Sequence, residues 1–144
     1  MDKIEILKIA KDIRENLEKF NERNNFNYYG KTLGGACAVT SGELHKQLKA
    51  KGLNPVIKHG HATDYTEHLW IEVQGLLIDL TYTQYEYQVD PVVCFDLNSE
   101  DYKKYLTRWT EVSEITNFEK ELGWGKYSSP SFYQTISEEN QKHQ

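Results

Sequence analysis

Between Glu67 and Tyr82, hydrophobic and polar positions alternate with a period of two on either side of Gln74-Gly75. Leu69, Ile71 and Val73 alternate with His68, Trp70 and Glu72, and Leu76, Ile78 and Leu80 alternate with Leu77, Asp79 and Thr81. This is the signature of two half-buried strands joined by a tight turn. Pairing Val73 with Leu76 gathers the aliphatic residues on one face, and a slip of one residue would break up that face, so the core pattern itself sets the register. In that register Asp79 lies opposite Trp70 and diagonal to His68. Such neighbours are about 7–8 Å apart at Cα, within reach for a carboxylate and an imidazole.

Upstream the period becomes helical. Cys37, Ser41, Leu44 and Leu48 fall at i, i+4, i+7 and i+11; Lys49 and Lys51 charge the last turn, Gly52 supplies a left-handed stop and Pro55 follows. Cys37 is thereby placed in a first turn, just after Gly34-Gly35. Unpaired backbone N–H groups there favour an anion, lower a thiol pKa and can hold an oxyanion. Asn54 to Thr63 reads as a strand around Pro55-Val56-Ile57. Ile4, Ile6, Leu7, Ile9, Ala10, Ile13, Leu17 and Phe20 mark an amphipathic first helix. Val92-Val93-Cys94-Phe95 reads as a further strand with Cys94 in the core. Asn98 or Ser99 is placed to cap a short helix over Glu100 to Leu106, and Ser113 another over Glu114 to Leu122. The polar end, Ser137 to Gln144, is expected to fray. The fold class expected is α+β: an antiparallel sheet packed against the helix that bears Cys37, in one domain over residues 1–136 with a polar tail at 137–144.

Cys37, His68 and Asp79 are the residue types, in the order, that a thiol nucleophile, its base and the base's orienter require. Gly35-Ala36-Cys37 entering a helix, then Leu44, Leu48 and Gly52-Leu53-Asn54-Pro55-Val56, then His68-Leu69-Trp70-Ile71-Glu72-Val73 and Ile78-Asp79-Leu80-Thr81, carry a resemblance. From about Leu33 to Tyr85 the chain resembles the transglutaminase-like branch of the papain-like cysteine enzymes and, more distantly, the arylamine N-acetyltransferases. The resemblance implies a papain-like core with Cys37 as nucleophile, His68 as general base and Asp79 orienting it. The implied reaction is acyl transfer from an amide or ester of a protein, peptide or small amide, by a protease, deamidase or transamidase that needs no cofactor or metal. Hydrolysis is the favoured outcome, because so small a domain shows no second pocket for an acceptor amine. Tyr29, from the Asn-rich loop Asn21 to Lys31, Trp70, and Tyr82, from a run that includes Tyr85 and Tyr87, are candidate substrate contacts, with plain packing as the competing reading.

Composition narrows the partners. A net charge of −5 with no basic run argues against nucleic acid and anionic membranes. The charged start Met1-Asp2-Lys3-Ile4-Glu5 and the lack of an apolar stretch of roughly 20 residues point to a cytoplasmic protein without a membrane span, its two cysteines kept as thiols. Two other classes of function stay open. His59 and His61, two apart on a strand, could join His68 or Asp64 in the metal site of a hydrolase, and a catalytically silent domain could hold a protein partner on its acidic, tyrosine-rich surface.

Overall fold

A computed structural model describes residues 1–84, 90–116 and 125–144. The fold is α+β. Its helices are α1 (Lys3–Arg23), α2 (Cys37–Ala50), α3 (Glu100–Leu106) and α4 (Phe132–Lys142), and its strands are β1 (Val56–His61), β2 (Glu67–Val73), β3 (Leu76–Asp79), β4 (Val93–Asp96) and β5 (Glu111–Ile115). The strands form one antiparallel sheet in the order β4-β3-β2-β1-β5.

The central hairpin adopts the register that its aliphatic pattern demands, with Val73 opposite Leu76 and Ile71 opposite Ile78. Leu69, Ile71, Val73, Leu76, Ile78 and Leu80 all enter one core, which α1, α2 and α4 close from above. In α1 the stripe that reaches this core is Ile6, Ala10, Ile13, Leu17 and Phe20, and the Asp2 side chain caps the helix by accepting from the Glu5 amide. Ile4 is out of phase with that stripe and stands in solvent, 80% exposed. Cys37, Ser41, Leu44 and Leu48 are buried along α2, whose end is marked by Gly52 at φ +87°.

The two hairpin strands, β2 and β3, are not half-buried, because a second layer covers their other face. Trp70, Leu77 and Val93 project there into an aromatic cluster with Tyr82, Tyr105 and Trp109. Tyr105 comes from α3, the helix that Ser99 caps by accepting from the Tyr102 amide. Gly60 makes room for this layer: a Cβ at that position would lie 2.7 Å from the Trp109 ring and 2.9 Å from Trp70.

Two further sequence expectations are corrected. Ser113 does not start a helix; it pairs with His59 inside β5, which occupies the open edge of β1. Nothing local to this mostly exposed pentapeptide announces that edge. The rest of the expected helix, from residue 117 onward, lies outside the described residues, as do Tyr85 and Tyr87. The tail expected to fray from Ser137 is instead the second half of α4, because its polar residues find partners on α1. Asn16 donates to the Ser137 hydroxyl, Asn140 donates to the Asn16 carbonyl at 2.7 Å, and Arg23 donates to Asn140 Oδ1 at 2.7 Å.

Candidate active site

The chain enters α2 through two residues in left-handed conformation, Leu33 at φ +62° and Gly35 at φ +83°. A non-glycine residue held there is strained, and buried Leu33 is kept in place by the core around it. Ala36, the residue before the helix, gives no side-chain cap. The first-turn amides of Cys37, Ala38 and Val39 therefore have no capping side chain in front of them, which suits a developing negative charge.

Helix α2 packs on β2, and Cys37 at its head is within hydrogen-bonding reach of His68, near the start of that strand. His68 Nε2 lies 2.7 Å from Asp79 Oδ2, with both side chains fully buried. An ionised carboxylate only accepts, so Nε2–H donates and Nδ1 is the nitrogen left to take a thiol proton. Gln84 Nε2 lies 2.9 Å from that Nδ1, so a Gln84 N–H and the thiol proton compete for the same lone pair. Burial disfavours a charged His68 ring, but the Asp79 charge and hydrogen bond outweigh it and Cys37 adds to them, so the His68 pKa is pushed up to about 9.

Asp79 is itself held from three sides. Besides His68, its Oδ2 accepts from the Tyr105 hydroxyl at 2.7 Å and its Oδ1 accepts from the Thr81 amide at 2.9 Å. Burial, and then the neighbouring Asp79 charge, raise the Tyr105 pKa well above its usual value, so the phenol stays a donor. Trp109 stacks on the His68 ring with centroids 5.7 Å apart and planes 18° from parallel. Arg14 of α1 anchors the segment that follows Asp79, its Nη1 donating to the Leu80 carbonyl, the Thr83 hydroxyl and the Pro91 carbonyl.

Cys37, His68 and Asp79 are thus brought together, and the three candidate substrate contacts fare differently. Trp70 is fully buried and donates from Nε1 to Glu72, a packing position with no open surface. Tyr29 is also buried, its hydroxyl donating to the Tyr127 carbonyl. Tyr82 stands 6.3 Å from the His68 ring and lines a cavity of about 460 Å³ with Tyr105, Phe95 and Arg108. Tyr105, Trp109, Gln84 and Arg14 escaped the sequence reading. Gln84 alone had a usable signal, since it follows Asp79 by five residues; the others reach the site from distant elements.

The histidine pair on β1 also exists, but its third neighbour is Glu67. His68 points its Nε2 to Asp79, and exposed Asp64 accepts from the Thr66 amide. No family model, curated protein or solved structure matches the chain. Among the described residues no helix is long and apolar enough to cross a membrane.

Proposed function

We propose that the protein is a cysteine-dependent acyl-transfer enzyme of the transglutaminase-like, papain-like type. The observation that carries this reading is the convergence of Cys37 and Asp79 on one imidazole, that of His68. His68, its pKa raised to about 9, holds as an imidazolium the proton that Cys37 gives up, and the thiolate attacks an amide or ester carbonyl. Amides at the head of α2 receive the oxyanion. Collapse of the tetrahedral adduct breaks the acyl bond, His68 returns the proton to the leaving amine or alcohol, and a thioester remains on Cys37. Water, activated by the same imidazole, releases the acid, and an acceptor amine in its place would give transamidation. Asp79 fixes the tautomer and offsets the imidazolium charge.

Hydrolysis of a protein, peptide or small amide is the favoured outcome. The cavity lined by Tyr82 and Tyr105 offers a space for a substrate side chain, with the Tyr82 ring 6.3 Å from the imidazole. A reducing compartment such as the cytoplasm suits two free thiols.

The test compares iodoacetamide labelling of the two cysteines at neutral pH by mass spectrometry. Cys94 is the internal control: it is more exposed than Cys37, and its thiol pKa is raised by burial and by Asp96. Cys37 should label faster than Cys94 despite its burial and lose that advantage in His68→Ala. An activated p-nitrophenyl ester should then leave an acyl group on Cys37 and none on Cys37→Ala. Slow labelling of Cys37 in both proteins, with no acyl adduct, would mean a catalytically silent fold.

A further inference from the structure

We infer that His59, His61 and Glu67 form a binding site for a divalent transition-metal ion of the Zn²⁺ type, separate from the thiol centre. His59 and His61 occupy alternate positions of β1, and Glu67 of β2 is the register partner of His61. Alternation and pairing therefore send all three side chains to one face of the sheet. Glu67 Oε1 lies 3.3 Å from His59 Nε2 and 3.3 Å from His61 Nδ1, and one donor atom from each residue falls within 4.8 Å of the other two. Donors bound tetrahedrally to zinc at about 2.0–2.1 Å are about 3.3–3.4 Å from one another, so two edges of the tetrahedron already have their length.

The chemistry of the set agrees with its geometry. Two imidazoles and one carboxylate make the ligand set of open zinc sites, which keep a fourth position for water or another ligand. His59 is buried while the side chains of His61 and Glu67 are 43% and 41% exposed, so one ligand is fixed by packing and the other two face the entry path. The two rings stand 4.1 Å apart by centroid, a separation at which two imidazolium charges repel and a shared cation turns both lone pairs to use. The backbone beneath is pinned as well, since the Thr110 amide donates to the His61 carbonyl at 2.6 Å. Trp109, which stacks on His68, directly precedes Thr110. A metal at this site would brace the strand end beside the thiol centre without touching Cys37 or Asp79.

Calorimetric titration of the chelator-treated full chain with ZnCl₂ tests this, and the choice of variants separates it from metal capture by the thiol centre. A single equivalent should bind to the parent and to Cys37→Ala alike. Binding should weaken at least about tenfold in His61→Ala and in Glu67→Gln, each of which removes one of three ligands. Both altered side chains are partly exposed, and circular dichroism checks that the variants remain folded. Co²⁺ bound to the parent should show tetrahedral ligand-field bands without a thiolate charge-transfer band. The site is overturned if the parent binds no Zn²⁺, or if binding disappears in Cys37→Ala and persists in His61→Ala and Glu67→Gln. Because the readout is metal binding, either result leaves the acyl-transfer reading to its own test.

Discussion

At the residue scale, Asp79 decides what His68 can do. Its buried carboxylate accepts from an imidazole, a phenol and a backbone amide. Asp79→Asn offers an amide where Nε2–H needs an acceptor and so favours the wrong tautomer. The rate of Cys37 acylation by the p-nitrophenyl ester should fall by about 10³–10⁴-fold, by analogy with serine triads. A rate within a few-fold of the parent would make Asp79 a structural residue. Tyr105→Phe is a gentler probe. It removes one hydrogen bond to a charged acceptor and should lower stability by about 1.5–3 kcal/mol in urea denaturation. It also has a pH signature. The folded state holds the phenol protonated, whereas the unfolded chain releases that proton near its usual pKa of about 10. The Tyr105 contribution is therefore fully present below pH of about 10 and lost as the pH rises beyond it toward the higher folded value. The parent should lose stability more steeply than Tyr105→Phe through that alkaline range. Equal slopes would mean that the Tyr105 proton is not held by the fold.

At the scale of elements, the site is a junction of a helix head, a hairpin and an aromatic layer, and these were unequally legible in the sequence. The hairpin register, and with it the meeting of His68 and Asp79, followed from an uninterrupted alternation in which only one pairing buries the aliphatic residues together. The Cys37 helix followed from one apolar stripe and one glycine stop. The covering layer left no such trace, since Trp109 and Tyr105 lie in short or irregular segments whose partners are far away along the chain. Its one local sign is Gly60, which resembles a loop residue until the Trp109 ring is seen where a Cβ would go. Gly60→Ala should force that ring off its stack on His68 and lower stability by about 1–3 kcal/mol, the range for overpacking a core. It should also slow iodoacetamide labelling of Cys37. A variant as stable and as reactive as the parent would remove Trp109 from the account of the site.

For the whole molecule, the question is how a site assembled from distant segments is held closed. The aliphatic core fastens α1, α2 and α4 to one face of the sheet, and polar ties join its outlying parts: Arg14 to the segment after Asp79, and Asn16 and Arg23 to α4. Polarity read along the chain made residues 137–144 look like a solvated end. In three dimensions Asn140 is buried, donates to both the carbonyl and the side-chain oxygen of Asn16, and accepts from Arg23, so polarity here means partners rather than solvent. The two readings differ in a measurable way. If the segment frayed, a chain ending at Ile136 would melt with the parent. If it closes the helical layer, truncation removes the Ser137 and Asn140 bonds and leaves Asn16 without these partners, at a cost of about 2–3 kcal/mol from hydrogen bonds alone. For a chain of this size that corresponds to a melting point lower by about 6–12 °C in a thermal scan. Asn140→Ala should reproduce a large part of that loss with the rest of α4 intact, because Asn140 makes most of the polar contacts across the α1–α4 seam. A truncated chain that melts within a degree or so of the parent would return the segment to the tail that its composition suggests.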